Sequence, residues 1–146
     1  MSDPYDSNPY QSSDTALTPA REERGTHHDR IAALDVSETW KRRFRAIEAA
    51  GGPELPRFRE LPFSERRRVQ FNLLAFLLGP FYYLAKGLWR QAVVYVLIAL
   101  AVILLLELAG LDSVTRVVGY GFAAVYAVRA NIGYYKRMVL AQPPWL

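Results

Sequence analysis

Side chains able to do chemistry are sparse in this chain of 146 residues, and the few present are poorly placed for catalysis. His27 and His28 are adjacent imidazoles that could touch a metal ion, but no further ligand stands near them in the sequence. A stable metal site needs several donors at defined spacing. There is no cysteine, which excludes disulfides, thiol catalysis and cysteine-ligated metals. No phosphate loop, nucleophile elbow, zinc-ligand spacing or dinucleotide fingerprint occurs. Glu107 and Arg116 stand within otherwise apolar stretches. With a turn near Leu111 they would lie at similar depth on adjacent helices, where an ion pair lowers the cost of both charges. A proton or ion relay is the functional alternative for the same two residues. The expectation is a protein that is not an enzyme and holds no cofactor or metal.

The basic residues carry more information. Lys and Arg number 18 against 14 Asp and Glu, a net charge of +4. That balance suits either nucleic acid or anionic lipid. Residues 35–50 read DVSETWKRRFRAIEAA. Asp35 with Glu38 three residues on matches a capping box, and Gly51-Gly52 followed by Pro53 is a stop signal, so a helix is expected between them. Trp40, Phe44 and Ile47 then share one face, while Lys41, Arg42, Arg43 and Arg45 cover the rest. Such a helix can lie on anionic lipid, each nearby cation contributing about 1 kcal/mol, or it can pack its aromatic stripe on the rest of the protein. In FSERRRVQ, Ser64 can cap a helix that carries Arg66, Arg67 and Arg68 into the apolar run. Arginines just ahead of an apolar segment mark a cytoplasmic flank. The same cluster argues against nucleic acid, because it opens an apolar run rather than a soluble fold. Trp40, Arg42, Arg43, Phe44, Arg66, Arg67, Arg68 and Trp89 are thus the candidate lipid-facing anchors.

These residues must be positioned by a strongly divided chain. The overall 51% apolar content conceals the division, since residues 1–69 hold most of the charge and residues 70–146 almost all the long apolar runs. Residues 1–34 are rich in Pro, Ser, Asp, Gly and Thr and are expected to form a disordered cytoplasmic tail. The near-repeat Asp3-Pro4-Tyr5 and Asn8-Pro9-Tyr10 in it reads first as part of a solvated tail, with a short docking motif as the alternative. No apolar run of signal-peptide type occurs in the first 30 residues, so an internal segment is expected to bring the chain to a membrane. Residues 35–69 form the basic amphipathic region at the membrane surface. Residues 91–111, QAVVYVLIALAVILLLELAGL, make the clearest span, since about 20 helical residues cover a hydrocarbon core of roughly 30 Å. Residues 113–130 make a weaker one, on which Gly119, Ala123 and Ala127 recur every four residues as a small-residue packing face.

The stretch FNLLAFLLGPFYYLAKGLWR, residues 71–90, admits two topologies. Pro80 would cost about 3 kcal/mol inside a helix but little at the first position of a new one. Gly79-Pro80 therefore reads as a hinge. If the stretch crosses, there are three transmembrane helices, and Lys86, Arg90, Arg129, Lys136 and Arg137 all face outward, against the positive-inside rule. If it dips in and returns, those residues face the cytoplasm. The favoured fold class is accordingly an all-α membrane protein: two transmembrane helices in a hairpin within residues 91–146, plus a re-entrant or interfacial helical segment over residues 70–90. A basic amphipathic helix and the disordered N-terminal tail precede them. Both termini are cytoplasmic in this arrangement.

Trp40 and Phe44 with Gly51-Gly52, Glu65-Arg66, the string FNLLAFLLGPFYYLAKGLW and the later ANIGYYKR resemble a bacterial membrane family, the domain of unknown function 2628. The resemblance runs from Trp40 to about Tyr135. It implies a class and a membrane location but no activity, and no catalytic residue can be carried over from it. The functional expectation is a small integral inner-membrane protein acting as a scaffold, regulator or complex subunit. Its expected partners are anionic lipid headgroups and a membrane-protein partner or a second copy of itself. The alternative is an oligomeric channel or transport accessory in which the Gly79-Pro80 loop lines a path.

Overall fold

Eight helical elements, none of them a strand, follow from the local sequence in the computed structural model, which describes residues 25–146. The Pro-Tyr near-repeat and most of the expected disordered tail lie outside the described residues. Residues 25–33 are helical (α1), so the tail reaches less far than its composition suggests. Ile31 on α1 is fully buried, and Arg30 Nη1 donates to the Val139 carbonyl at 2.7 Å.

Helix α2, Glu38–Ala49, starts later than the capping box implied. Ser37 is its N-cap and makes no side-chain cap bond. Residues 34–36 bend instead, with the Val36 N–H donating to the Leu34 carbonyl at 2.9 Å. The C-terminus closes as the glycines demand: Gly52 N–H donates to Ile47 and Gly51 N–H to Glu48, the paired bonds of a Schellman turn. A short 3-10 turn, Phe58–Glu60, leads to α3, Phe63–Gln70. Here Pro62, rather than Ser64, occupies the N-cap. Nor does α3 continue into the apolar run, because Phe71 and Asn72 are extended.

The apolar stretch is divided into α4, Leu73–Leu78, and α5, Pro80–Ala85. Asn72 caps the first with its side chain, which accepts from the Ala75 N–H at 3.2 Å. Gly79 between them has φ 52 and ψ −126, a conformation only glycine reaches cheaply, and Pro80 opens the second at the position where its missing N–H costs nothing. Helix α6, Trp89–Leu108, is long and apolar enough to cross a membrane by length and composition. Helix α7, Asp112–Met138, runs 27 residues but carries Arg116, Arg129, Lys136 and Arg137, and it does not meet that criterion. The expected pair of spans therefore reduces, on this measure, to one. The two helices are antiparallel: Gln91 meets Gly133 and the Tyr95 ring lies 5.7 Å from that of Tyr126.

Burial is unequal along this hairpin. Phe44, Ile47, Val69, Tyr83, Tyr135 and Val139 are fully enclosed in one core made by α2, α3, α5 and the ends of α6 and α7 nearest the chain termini of the hairpin. Beyond Tyr95 and before Tyr126 no residue of the hairpin whose side chain is described is fully buried.

Candidate functional site

Most of the structure's organisation converges on the break between α3 and α4. Ending α3 leaves its last carbonyls without helical partners. Asn131, on α7 and wholly buried, supplies them: its Nδ2 donates to Val69 at 2.9 Å and to Arg68 at 3.2 Å. Its Oδ1 accepts from Asn72 Nδ2 at 3.0 Å, and the same Asn72 amide donates to the Tyr82 hydroxyl at 2.9 Å. The Asn72 backbone N–H donates to the Ala127 carbonyl at 3.1 Å. Two amides thus tie α3, α4, α5 and α7 into one joint with its side-chain hydrogen bonds made within the protein.

Beside the joint lies an aromatic cluster. Trp40, 8% exposed, and Phe44, 0% exposed, do not face lipid as anchors; they pack on Tyr134, whose ring is 4.6 Å from Trp40 and 5.7 Å from Phe44. The aromatic stripe of α2 is used internally because α7 offers a matching stripe. Lys86 Nζ sits 5.0 Å from the Trp40 ring and 4.9 Å from the Tyr134 ring. Burial, and then the neighbouring Arg43 cation, lower its pKa, while the ring faces favour the charged form. Tyr135 donates to Glu48, which also meets His27 Nδ1 at 3.2 Å. Burial and that carboxylate push the Tyr135 phenol above its usual range. His27 is thus engaged with Glu48, and among the described residues no group of three candidate ligands could hold a metal.

The remaining candidates separate. Arg42 and Trp89 are exposed, and Arg90 lies over the Trp89 ring at 5.6 Å. Glu107 and Arg116 are both exposed, and among the described residues no ion pair joins them. The small-residue face closes only at one end: Ala127 is buried, but a methyl at Gly119 would touch nothing within 4 Å. The residue that covers Gly79 is Tyr126, 3.7 Å from where a Cβ would stand. A different glycine makes the close approach in the hairpin, since a Cβ at Gly133 would lie 2.3 Å from Gln91 Oε1.

Arg66, Arg67, Arg68 and Arg43 share a concave, basic-aromatic surface at the α3–α4 break. One cavity there, about 650 Å³, includes Arg66, Arg67, Phe71 and Leu73; its neighbour, about 450 Å³, includes Arg43, Arg67, Arg68, Phe71 and Leu73.

Asn72 and Asn131 are the residues that motif reasoning passes over. Asn72 precedes an apolar run directly, which is an N-cap signal. Asn131 is an amide inside an apolar helix, which signals an interhelical bond.

The family model for proteins of unknown function DUF2628 matches residues 23–139, which takes in every element just described. The chain belongs to that family. It is 27% identical over 118 residues to the uncharacterized protein YigF of Escherichia coli strain K12, covering 75% of this chain and 90% of that one. It is 28% identical over 125 residues to YigF of Salmonella typhimurium, covering 80% and 96%. No solved structure matches the chain. The match begins near the start of α1 and ends at buried Val139, so its limits coincide with the packed part of the fold.

Proposed function

We propose that the chain is an integral protein of the bacterial inner membrane whose packed cytoplasmic base serves as a scaffold or regulatory subunit. In this reading α6 and the first half of α7 cross as a hairpin, α4 and α5 dip in and return at Gly79-Pro80, and both termini stay inside. The observation that carries it is the distribution of exposed apolar surface. Phe81 is 73% and Leu105 66% exposed, and they belong to a run of uncovered Leu, Val and Phe along α4, α5 and α6. Apolar surface on that scale is not tolerated in water and marks a lipid or protein contact. Long cations support the orientation: Lys86, Arg90, Arg129, Lys136 and Arg137 all lie at the base end, and the turn near Gly110 has no Lys or Arg. Arg116 near the turn can snorkel outward from its exposed position.

A scaffold predicts a stoichiometric partner. Affinity capture of the full chain in mild detergent should recover one membrane or cytoplasmic protein at a fixed ratio, lost when the exposed cation of α2 is reversed by Arg42→Glu. Capture of the chain alone, as a monomer, at native expression would contradict the scaffold role.

A further inference from the structure

Four arginines crowd the α3–α4 break without a carboxylate among the described residues to pair them, and only Arg43 has a ring partner, its guanidinium lying 4.8 Å from the Trp40 ring. Lys41 pairs with Glu38 and Lys136 with Glu54. Among the described residues no carboxylate lies within ion-pair distance of Arg43, Arg66, Arg67 or Arg68, and none lines either cavity. Arg43 Nε and Arg66 Nε are shielded from solvent and have no hydrogen-bond partner. Like charges held together and partly desolvated repel, so the cluster is built for an anion that is not part of the chain.

The rest of the wall restricts what that anion can be. Phe63 is 73% exposed beside Arg66 and Arg67, and Phe71 and Leu73 lead directly into apolar α4. A free phosphate would satisfy the guanidinium groups and leave this apolar wall wet. A phospholipid satisfies both, with its headgroup on the arginines and its chains following Leu73 along α4. The two cavities adjoin and share Arg67, Phe63, Phe71 and Leu73, with Arg66 on one side and Arg43 and Arg68 on the other. That is two guanidinium-lined seats with one arginine between them, and Arg takes phosphate oxygens in a bidentate fork.

We propose that the paired cavities bind one anionic phospholipid carrying two phosphodiesters, of the diphosphatidylglycerol class, with one phosphate in each cavity and Arg67 serving both. The proposal rests on the membrane-embedded reading above. It differs from general attraction to an anionic surface, which counts charges and is indifferent to how they are joined.

The test uses the full chain in detergent micelles, with bound lipid counted by native mass spectrometry. Diphosphatidylglycerol is titrated against phosphatidylglycerol at equal total phosphate. One diphosphatidylglycerol per chain, preferred at least ten-fold, is expected, with inorganic phosphate at the same concentration failing to compete. The double variant R66Q/R67Q should lose at least ten-fold in affinity at unchanged helicity. The control R59Q/R137Q, at exposed positions lining neither cavity, should keep it. Equal binding of the two lipids at matched phosphate, effective competition by inorganic phosphate, or an equal loss in both double variants would overturn the proposal while leaving the membrane reading intact. Failure of the wild-type chain to enter vesicles of any composition would overturn both. The lipid selectivity is read on the wild-type chain, so it decides the matter even if R66Q/R67Q does not fold.

Discussion

Helix α7 is packed along one half and largely uncovered along the other, and the two halves show what burial asks of a sequence. From Tyr126 to Val139 it is a core element: Tyr126, Ala130, Asn131, Tyr134, Tyr135 and Val139 are buried against α2, α3 and α5. From Ser113 to Val125 the same continuous helix has no fully buried residue, although it packs beside α6 and Phe122 is partly buried against the core. The buried half uses large aromatics and one amide whose nitrogen and oxygen are both hydrogen-bonded. The uncovered half uses Val, Gly and Ala with little distinction between its faces. Water-driven burial rewards shape and partner choice, because apolar area removed from water contributes about 25 cal/mol per Å². In lipid that driving force between helices is absent, and only close packing and hydrogen bonds remain. The difference fits the proposed division into a packed base and a lipid-embedded hairpin.

Equal changes in the two regions should therefore have unequal effects. Phe44→Ala removes a ring enclosed by Trp40, Tyr134 and Tyr135 and should cost about 3–5 kcal/mol in denaturant unfolding in mild detergent. Asn131→Ala should come next, at about 2–3 kcal/mol, since it leaves the Arg68 and Val69 carbonyls without their side-chain donor and the Asn72 amide with Tyr82 alone. Hydrogen exchange in that variant should quicken first at α3 and α4, and uniform quickening would show that the joint is less local than described. Gly133→Ala drives a methyl to within 2.3 Å of Gln91 Oε1 and should cost about 1–3 kcal/mol while opening the base of the hairpin. Leu105→Ala, on the uncovered part of α6, should stay within about 0.5 kcal/mol. A cost for Leu105→Ala that rivals Phe44→Ala would break the comparison, because it would mean that a protein surface covers that residue.

The elements that a sequence reveals here are the ones set by local chemistry. The long apolar helix α6 follows from an unbroken apolar run, the stop after α2 from paired glycines, and the joint between α4 and α5 from what proline cannot do inside a helix. Helix starts are less legible: Asp35 and Ser64 are acceptable caps in isolation, yet α2 begins at Glu38 and α3 at Phe63. Long-range choices are not legible at all from spacing. An amphipathic aromatic stripe such as Trp40, Phe44 and Ile47 looks the same whether lipid or another helix receives it, and only Tyr134 and Tyr135, about ninety residues away, decide it. The same holds for Asn131, whose partners at Arg68 and Val69 are distant in the chain. The Glu107–Arg116 pairing failed for a related reason. Equal depth on neighbouring helices does not establish that two side chains face the same groove.

The central claim is that the base stays on the cytoplasmic side while the tip of the α6–α7 hairpin reaches the opposite surface. Because the chain has no cysteine, single cysteines introduced at Leu111 and at Gln142 can be labelled in intact cells with a membrane-impermeant maleimide free of background. The account predicts that Leu111→Cys is labelled from outside and that Gln142→Cys is labelled only after the cells are opened. Labelling of Gln142→Cys in intact cells, or protection of Leu111→Cys in them, would contradict it.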